Sequence, residues 1–231
     1  MAKNCVAPLV LCMSVAAPGQ VITYNGDVFP ESVGWERVGT FDADRSLVDG
    51  QLVIDVDLGV WDPLPGGEQD FYKRSIAEFA GEPFFLEWRC VTNAPNTEIG
   101  GVGGSAINAW GTGVANHFTI TGDRVRLIRD NFLPIVFVDI DPAVSHTYRL
   151  EYYRDESYFW YIDGEIVDSG VPEGDFPNPN SRIIWGSSMW QTPSTNQWDY
   201  IRYGVIPEPG TLLLLIPGAA FLVWRGRQAP G

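Results

Sequence analysis

The feature that most constrains this chain is a two-residue alternation of apolar and polar side chains, repeated along most of its length. In the stretch 84–92, Leu86, Trp88 and Cys90 fall on one side of an extended strand, and Glu87 and Arg89 fall on the other. Residues 147–153 set Tyr148, Leu150 and Tyr152 against Arg149 and Glu151, and 124–129 sets Val125 and Leu127 against Arg124 and Arg126. Such a pattern puts one face of a sheet in a core; a helix would scatter the same residues around its circumference. Turn residues recur about every ten positions. Asp49-Gly50 leads into a strand at 51–56, Thr121-Gly122-Asp123 joins 117–121 to 124–129, and Asp163-Gly164 turns 158–162 back as 165–168. Further strands read at 135–140, 182–188 and 197–205. The stretch 70–80 fits a strand or one turn of helix. Residues 100–104 (Gly-Gly-Val-Gly-Gly) and 172–181 read as loops. The first lacks the strand-to-helix context of a phosphate loop.

Ten or more short strands in a body of ~185 residues predict an all-β fold, a two-sheet antiparallel jelly-roll sandwich. No helix is expected between the termini. Three stretches then bear a likeness. His146-Thr-Tyr-Arg-Leu-Glu-Tyr-Tyr, the run Phe-Trp-Tyr-Ile-Asp163-Gly164-Glu-Ile-Val and the closing Trp198-Asp-Tyr-Ile-Arg-Tyr resemble laminin-G-like bacterial members of the concanavalin A-like lectin/glucanase superfamily. The resemblance spans 30–205. It implies a concanavalin A-like sandwich with neighbouring terminal strands, pairing residues near Trp35 with residues near Ile201. It leaves the function open, because lectins, glycosidases, adhesion modules and structural domains share this architecture.

The two ends read differently from the body. Lys3, an apolar stretch from Cys5 to Ala17 and small residues at Ala16, Ala17 and Gly19 predict a signal peptide at 1–20, with the sandwich at 21–205. The segment 206–231 carries Pro207, Glu208 and Pro209, an apolar run from Leu212 to Trp224, and then Arg225 and Arg227. The run predicts a C-terminal hydrophobic helix, shorter than the roughly 20 residues of a stable span. The two arginines form a membrane stop on the cytoplasmic side. In this order the features resemble the PEP-CTERM protein-sorting domain of Gram-negative bacteria, from which Pro217 inside the run departs. That resemblance implies export, an exosortase as partner, and an inner-membrane precursor. It further implies a mature protein at the cell surface or in the extracellular matrix, often with exopolysaccharide or biofilm.

The chemistry of the body is sparse. With 15 Lys+Arg against 29 Asp+Glu the net charge is −14, which argues against nucleic acid and anionic lipid as partners and permits calcium, cationic groups or neutral sugars. Of the three cysteines, Cys5 and Cys12 belong to the signal segment, so no intrachain disulfide is expected in the mature domain and Cys90 reads as a buried, inert thiol. There is no CxxC motif. The Glu-x-Asp-x-Glu pattern that sets two carboxylates on one strand face for glycoside hydrolysis is absent. Asp55-Val56-Asp57 comes nearest and reads as a solvated strand end. His117 and His146 each begin a predicted strand and read as structural, and no Gly-x-Ser-x-Gly elbow is present.

Calcium is a candidate cofactor through Asp42, Asp44 and Asp49, whose oxygens alternate along one loop, with a second acidic loop from Asp57 to Asp62. Of nine Trp, Trp88 and Trp160 read as core. Trp110, Trp190 and Trp198, near Asn108, Asn116, Asn196 and Gln197, are the candidates to stack on a sugar face. The expectation is therefore a non-enzymatic binder of polysaccharide or matrix polymer. A glycoside hydrolase or lyase with displaced carboxylates and a self-associating structural surface protein are the alternatives.

Overall fold

The computed structural model describes residues 20–39, 43–56, 69–94, 103–111, 114–128, 134–154, 157–171, 180–189 and 194–207, with the backbone alone at 39, 69, 103–111, 114–117, 128, 134–135 and 188–189. Its strands are β1 (Val21–Asn25), β2 (Glu36–Gly39), β3 (Asp44–Val48), β4 (Gln51–Val56), β5 (Gln69–Ser75), β6 (Phe84–Asn93), β7 (Gly103–Gly111), β8 (Val114–Ile120), β9 (Arg124–Ile128), β10 (Pro134–Asp139), β11 (His146–Tyr153), β12 (Ser157–Ile162), β13 (Glu165–Gly170), β14 (Arg182–Met189) and β15 (Ser194–Val205). Short 3-10 turns occupy Pro30–Val33 and Ala77–Phe79. Val21–Ile206 make up one compact unit.

One sheet has the order β13-β12-β11-β6-β15-β4-β3, with β1 also paired to β15; the other runs β10-β9-β8-β7-β14-β5-β2. Pairing is antiparallel throughout the described ladders. The expected all-β, two-sheet antiparallel jelly-roll sandwich is what forms. The predicted signal segment up to residue 19 and the predicted C-terminal helix lie outside the described residues. So do Glu208, Pro209, Arg225 and Arg227; Pro207 is the last described position. Among the described residues no helix is long and apolar enough to cross a membrane.

The alternating segments bury the faces that their pattern assigns. Leu86, Trp88 and Cys90 on β6, Tyr148, Leu150 and Tyr152 on β11, and Val125 and Leu127 on β9 are all in the core. Rings from the two sheets meet there. Trp88 stacks on Phe118 of β8 at 4.2 Å. Trp185 of β14 lies 4.9 Å from Trp198 of β15 and 4.8 Å from Tyr72 of β5. Burying about 150–250 Å² per ring is how a sandwich without a disulfide gathers its apolar area. Cys90 is a buried thiol, as its position in the alternation requires. Asp49-Gly50 and Asp163-Gly164 form the expected two-residue turns, with φ of 51° and 79° in the first and 50° and 85° in the second. Positive φ at both central positions is the type I′ geometry that suits a twisted hairpin.

One open reading is resolved and two expectations change. Residues 69–75 are a strand, and the helical turn is limited to Ala77–Phe79. Gly103 and Gly104, read as loop, begin β7 and pair with Met189 and Ser188. Their weak strand propensity is overridden by the long ladder with β14. The terminal pairing is earlier than expected: Tyr24, not Trp35, lies opposite Ile201. Trp35 instead packs its ring on Tyr203 at 5.9 Å.

β15 changes partner halfway. Residues Ser194 to Trp198 pair with β4, and Tyr200 to Gly204 pair with β1 on the same edge. The switch happens at Asp199, where the ladder with β6 shifts register between Trp198 and Tyr200. This β-bulge inserts one residue and resets the parity of the strand, so Trp198 and Ile201 both face the core. Gly26 joins the junction by donating its N–H to the Asp199 carbonyl at 2.7 Å. A Cβ there would sit 2.2 Å from the Trp198 carbonyl oxygen.

The β2/β3 side of the sandwich is closed by charge. Asp70 of β5 is 0% exposed and receives Arg37 through Nε and Nη2 at 2.7 and 3.0 Å. Arg45 crosses from β3 of the other sheet, and its Nη1 donates to Tyr72 Oη and Glu31 Oε1, each at 2.6 Å. Burial pushes the Tyr72 phenol up to about 12, against the pull of Arg45. Two guanidinium groups thus compensate a carboxylate that would otherwise be too costly to bury.

The Asp163-Gly164 turn carries a second clasp. Asp163 accepts the Thr147 N–H at 2.9 Å and the His146 Nδ1 at 2.6 Å, while His146 Nε2 faces the Asp141 carbonyl at 3.0 Å. Partial burial raises the Asp163 pKa, but the bonds from Thr147 and His146 outweigh it and hold the carboxyl below the ordinary range. A depressed carboxyl stabilises the fold above the unfolded pKa of about 3.9 and loses that contribution as the pH falls through its folded value. Asp163→Asn, which keeps the turn conformation, is expected to lower stability by less than about 1 kcal/mol, since the group is half exposed. Melting curves of the two proteins should differ by a constant gap near pH 5 that closes toward pH 2. A gap that widens on acidification contradicts the assignment.

Candidate functional site

The outward face of the eight-stranded sheet carries a compact row of functional side chains. Since Leu86, Trp88, Leu150 and Trp160 point into the core, the intervening residues Phe85, Glu87, Arg149, Glu151, Phe159 and Tyr161 point out. The bulge at Asp199 brings Tyr200 and Arg202 onto this same face. The register then sets Tyr161, Arg149, Glu87 and Arg202 side by side across β12, β11, β6 and β15. Phe159, Glu151, Phe85 and Gly204 form the adjoining row.

Glu87 and Glu151 are buried here although they lie on an outer face, at 4% and 9% exposure. Glu87 Oε1 accepts Tyr200 Oη at 2.8 Å and Arg202 Nη2 at 2.6 Å, and its Oε2 accepts Arg149 Nη1 at 2.9 Å. Glu151 Oε1 accepts Arg149 Nε at 2.7 Å, and its Oε2 accepts Tyr153 Oη at 3.1 Å and Tyr161 Oη at 3.0 Å. Arg149 bridges the two carboxylates and lies over the Phe85 ring, 4.3 Å from its centroid. Burial works against its charge, but the bonds to Glu87 and Glu151 hold its pKa above the ordinary value.

The phenols stay protonated donors. Burial first, and then the charge of Glu151 and the bond to it, push Tyr161 up to about 12 and raise Tyr153. Burial and the bond to Glu87 raise Tyr200. Phe159 lies 5.8 Å from Tyr153 in an edge-to-face arrangement and 6.5 Å from Tyr161. Phe159, Tyr153, Tyr161 and Tyr200 are each half-buried, so part of every ring remains open to a ligand. The result is an open platform of aromatic surface and N–H donors, with its carboxylates sunk beneath. Such a surface can stack on the C–H faces of a sugar and donate hydrogen bonds to its oxygens.

Among the described side chains, none of those singled out from sequence joins this platform. Trp198 is 0% exposed, locked in the core against Trp185, so its ring offers no face to a ligand. Asn196 is also 0% exposed; its Nδ2 donates to Ser187 Oγ at 2.6 Å and Ser194 Oγ at 3.0 Å. A strand starting at 197 would leave both near its mouth, whereas β15 begins at Ser194 and carries them inside the ladder. Trp110 lies in β7 opposite Ala115 and Arg182, and its side chain is outside the described residues. Trp190 is wholly outside them.

Asp44 opens β3 and Asp49 sits in the turn beyond its other end. Five extended residues separate them by about 16 Å, too far for one cation whose ligand oxygens lie about 2.3–2.6 Å from it. Asp42 lies outside the described residues, as do Asp57 and Asp62. Asp55 accepts the Thr195 hydroxyl at 2.9 Å, as a solvated strand-end carboxylate can. Among the described residues no group of three or more His, Cys, Asp or Glu side chains is placed to hold a metal ion. His146 serves the turn clasp described above, in keeping with a structural role.

Sequence inspection missed the platform, although its residues lie in the very strands that revealed the fold. The available signal was the parity of the aromatics: Tyr153, Phe159 and Tyr161 occupy outward positions that a solvated sheet face fills with small polar or charged residues.

No family model matches this chain, and no curated protein matches it in sequence. Solved structures share its fold. A protein of unknown function from Shewanella oneidensis MR-1 superposes with a TM-score of 0.58 at 8% identity, over 84% of this chain and 89% of that one. A native glycosidic hydrolase gives 0.54 at 15% identity over 83% and 100% of the two chains. A beta-1,3-1,4-glucanase (lichenase) derived from a mouse hindgut metagenome gives 0.53 at 15% identity over 80% and 99%. At these identities the likeness is one of fold. The protein is a jelly-roll sandwich of the type that glucanases share.

Proposed function

We propose that this is an exported protein of the bacterial cell envelope or extracellular matrix whose sandwich binds carbohydrate without cleaving it. The observation that carries this reading is the platform on the eight-stranded sheet: half-open aromatic rings beside guanidinium donors, a surface suited to the stacking and hydrogen bonding that sugars need. A binding role is favoured over hydrolysis because Glu87 and Glu151 already accept three hydrogen bonds each from Arg and Tyr. Neither is left open to protonate a leaving group or activate water, the two tasks of a glycosidase pair. The jelly-roll fold itself is compatible with either use.

Delivery rests on the resemblance of the C-terminal tail to the PEP-CTERM sorting domain. On this reading an exosortase processes the chain near Pro207, Glu208 and Pro209 while the apolar run and Arg225 and Arg227 hold the precursor in the inner membrane. Replacing Glu208 by Ala, or deleting 225–231, is then expected to leave the precursor unprocessed in that membrane. Mass measurement of the cell-surface protein tests this, and an unchanged mature mass after both changes contradicts it. The binding claim is tested by an array of glycans probed with the full chain, alongside a reducing-sugar assay on the same polysaccharides. Binding without released reducing ends is the expected pair of results; release of reducing ends would make the protein a hydrolase or lyase.

A further inference from the structure

Charge on the platform is layered. The side chains of Glu87 and Glu151 are 6% and 12% exposed, that of Arg149 is 27% exposed, and those of Arg202 and Arg89 are 46% and 47% exposed. The carboxylates of Glu87 and Glu151 lie beneath the cations, and Asp199, 37% exposed, stands beside Arg89, so over Glu87 and Glu151 an approaching ligand meets guanidinium edges first. Arg89 stands opposite Tyr200, and Arg202 stands two positions further along the same ladder. This diagonal places the two about 7–8 Å apart at Cα. Each guanidinium has five N–H donors. Arg202 directs Nη2 to Glu87, and Arg89 directs Nε to Ser145 Oγ at 2.9 Å, with Asp199 at 3.7 Å. Donors remain on both.

We propose that the platform selects an anionic polysaccharide, one whose sugars carry carboxylates. The sugar rings would lie on Tyr161, Phe159 and Tyr153, and Arg89 and Arg202 would hold the carboxylates. The inference rests on the carbohydrate-binding reading above and deepens it. The planar guanidinium fork matches a carboxylate with two parallel hydrogen bonds, which a hydroxyl of a neutral sugar cannot reciprocate. From Tyr161 on β12 to Arg202 on β15 is three strand spacings, about 14 Å. A ligand touching both therefore spans several sugar units, as a polymer does. The chain as a whole is strongly acidic, at −14, and repels polyanions at long range. That repulsion is screened over about 8 Å at physiological ionic strength, whereas contacts at the platform are made at hydrogen-bond distance. The net charge thereby works as a filter, admitting a polyanion only where the guanidinium groups meet it.

The test measures binding of the full chain, purified in detergent, to four probes at physiological ionic strength: alginate, polygalacturonate, neutral dextran, and poly-glutamate, which has carboxylates but no sugar. At least one of the two acidic polysaccharides is expected to bind about tenfold or more tighter than both dextran and poly-glutamate. The double variant Arg89→Ala/Arg202→Lys, which keeps a cation beside Glu87, is expected to lose about tenfold in that affinity with little change in melting temperature. Lys73→Ala, on the other sheet, is expected to leave it unchanged. If dextran binds as well as the acidic polysaccharides, carbohydrate binding stands and the anionic preference falls. If poly-glutamate binds equally, the face is a mere charge surface and the proposal falls. Unaltered affinity in the double variant also overturns it. Silence with all four probes together with an empty glycan array removes the carbohydrate-binding reading itself.

Discussion

Gly186→Ala is expected to destabilise the sandwich by about 4 kcal/mol or more, the range reserved for backbone strain and core disruption. Gly186 is in the middle of β14, between Phe71 of β5 and Ala106 of β7. Its φ is 146°, a value that residues with a Cβ rarely adopt. A Cβ there would meet the Asp70 carbonyl oxygen at 2.1 Å and the Phe71 Cα at 2.8 Å. Both are backbone atoms of a paired strand and cannot swing aside as a side chain would. Movement of β5 would also displace Asp70 from Arg37 and pull Tyr72 away from Trp185. Since a domain has roughly 5–15 kcal/mol in hand, the variant should unfold at much lower urea than the parent or fail to accumulate as soluble protein. A change below about 1 kcal/mol in urea denaturation would show that the β5–β14 ladder is not built as described.

The second large effect is at Arg149. Replacing it by Met keeps the stem over Phe85 and removes the cation between Glu87 and Glu151. Removing one partner of a buried ionic group typically costs about 3–5 kcal/mol, because the other charge stays buried without compensation. Arg149 is partly solvated, with 27% of its side chain exposed, so the lower end, about 3 kcal/mol, is expected. For a domain of this size that is a fall of about 6–12 °C in melting temperature. The triple variant Arg149→Met/Glu87→Gln/Glu151→Gln removes the stranded charges together and should recover more than half of the loss. If the triple variant is as unstable as the single one, the cost arises from packing on Phe85 and the ionic account of the platform is wrong.

The strands were legible in the sequence wherever one face is buried and the other is polar. β6, β9 and β11 show this plainly, and the Asp-Gly pairs fixed two hairpins. Legibility failed where tertiary pairing decided the matter. The glycines of β7 carry no strand signal and are held by β14. In β15 a strict two-residue period assigns Trp198 and Ile201 to opposite faces, and only the bulge at Asp199, accommodated by Gly26, turns both inward. The same parity shift hides Tyr200 and Arg202 from a reading of the outward face. The candidate site was illegible for a related reason. Its members come from β6, β11, β12 and β15, with the hydrogen-bonded Glu87 and Tyr200 113 residues apart, and sequence proximity is a poor guide to a site laid across strands. The tryptophans drew attention by size, yet large rings are what a disulfide-free core consumes first, as Trp88, Trp185 and Trp198 show. Of the calcium candidates, Asp44 and Asp49 are close in number but stand at opposite ends of an extended strand, and Asp42 lies outside the described residues.

The most direct test of the central claim is a glycan-binding measurement on the full chain and on Phe159→Ala/Tyr161→Ala, which removes ring surface from the platform while leaving the Arg149 bonds to both carboxylates in place. The account predicts that the parent binds a polysaccharide and that the double variant, still folded by circular dichroism, loses that binding. A parent that binds no glycan, or a folded double variant that binds as tightly as the parent, would contradict it.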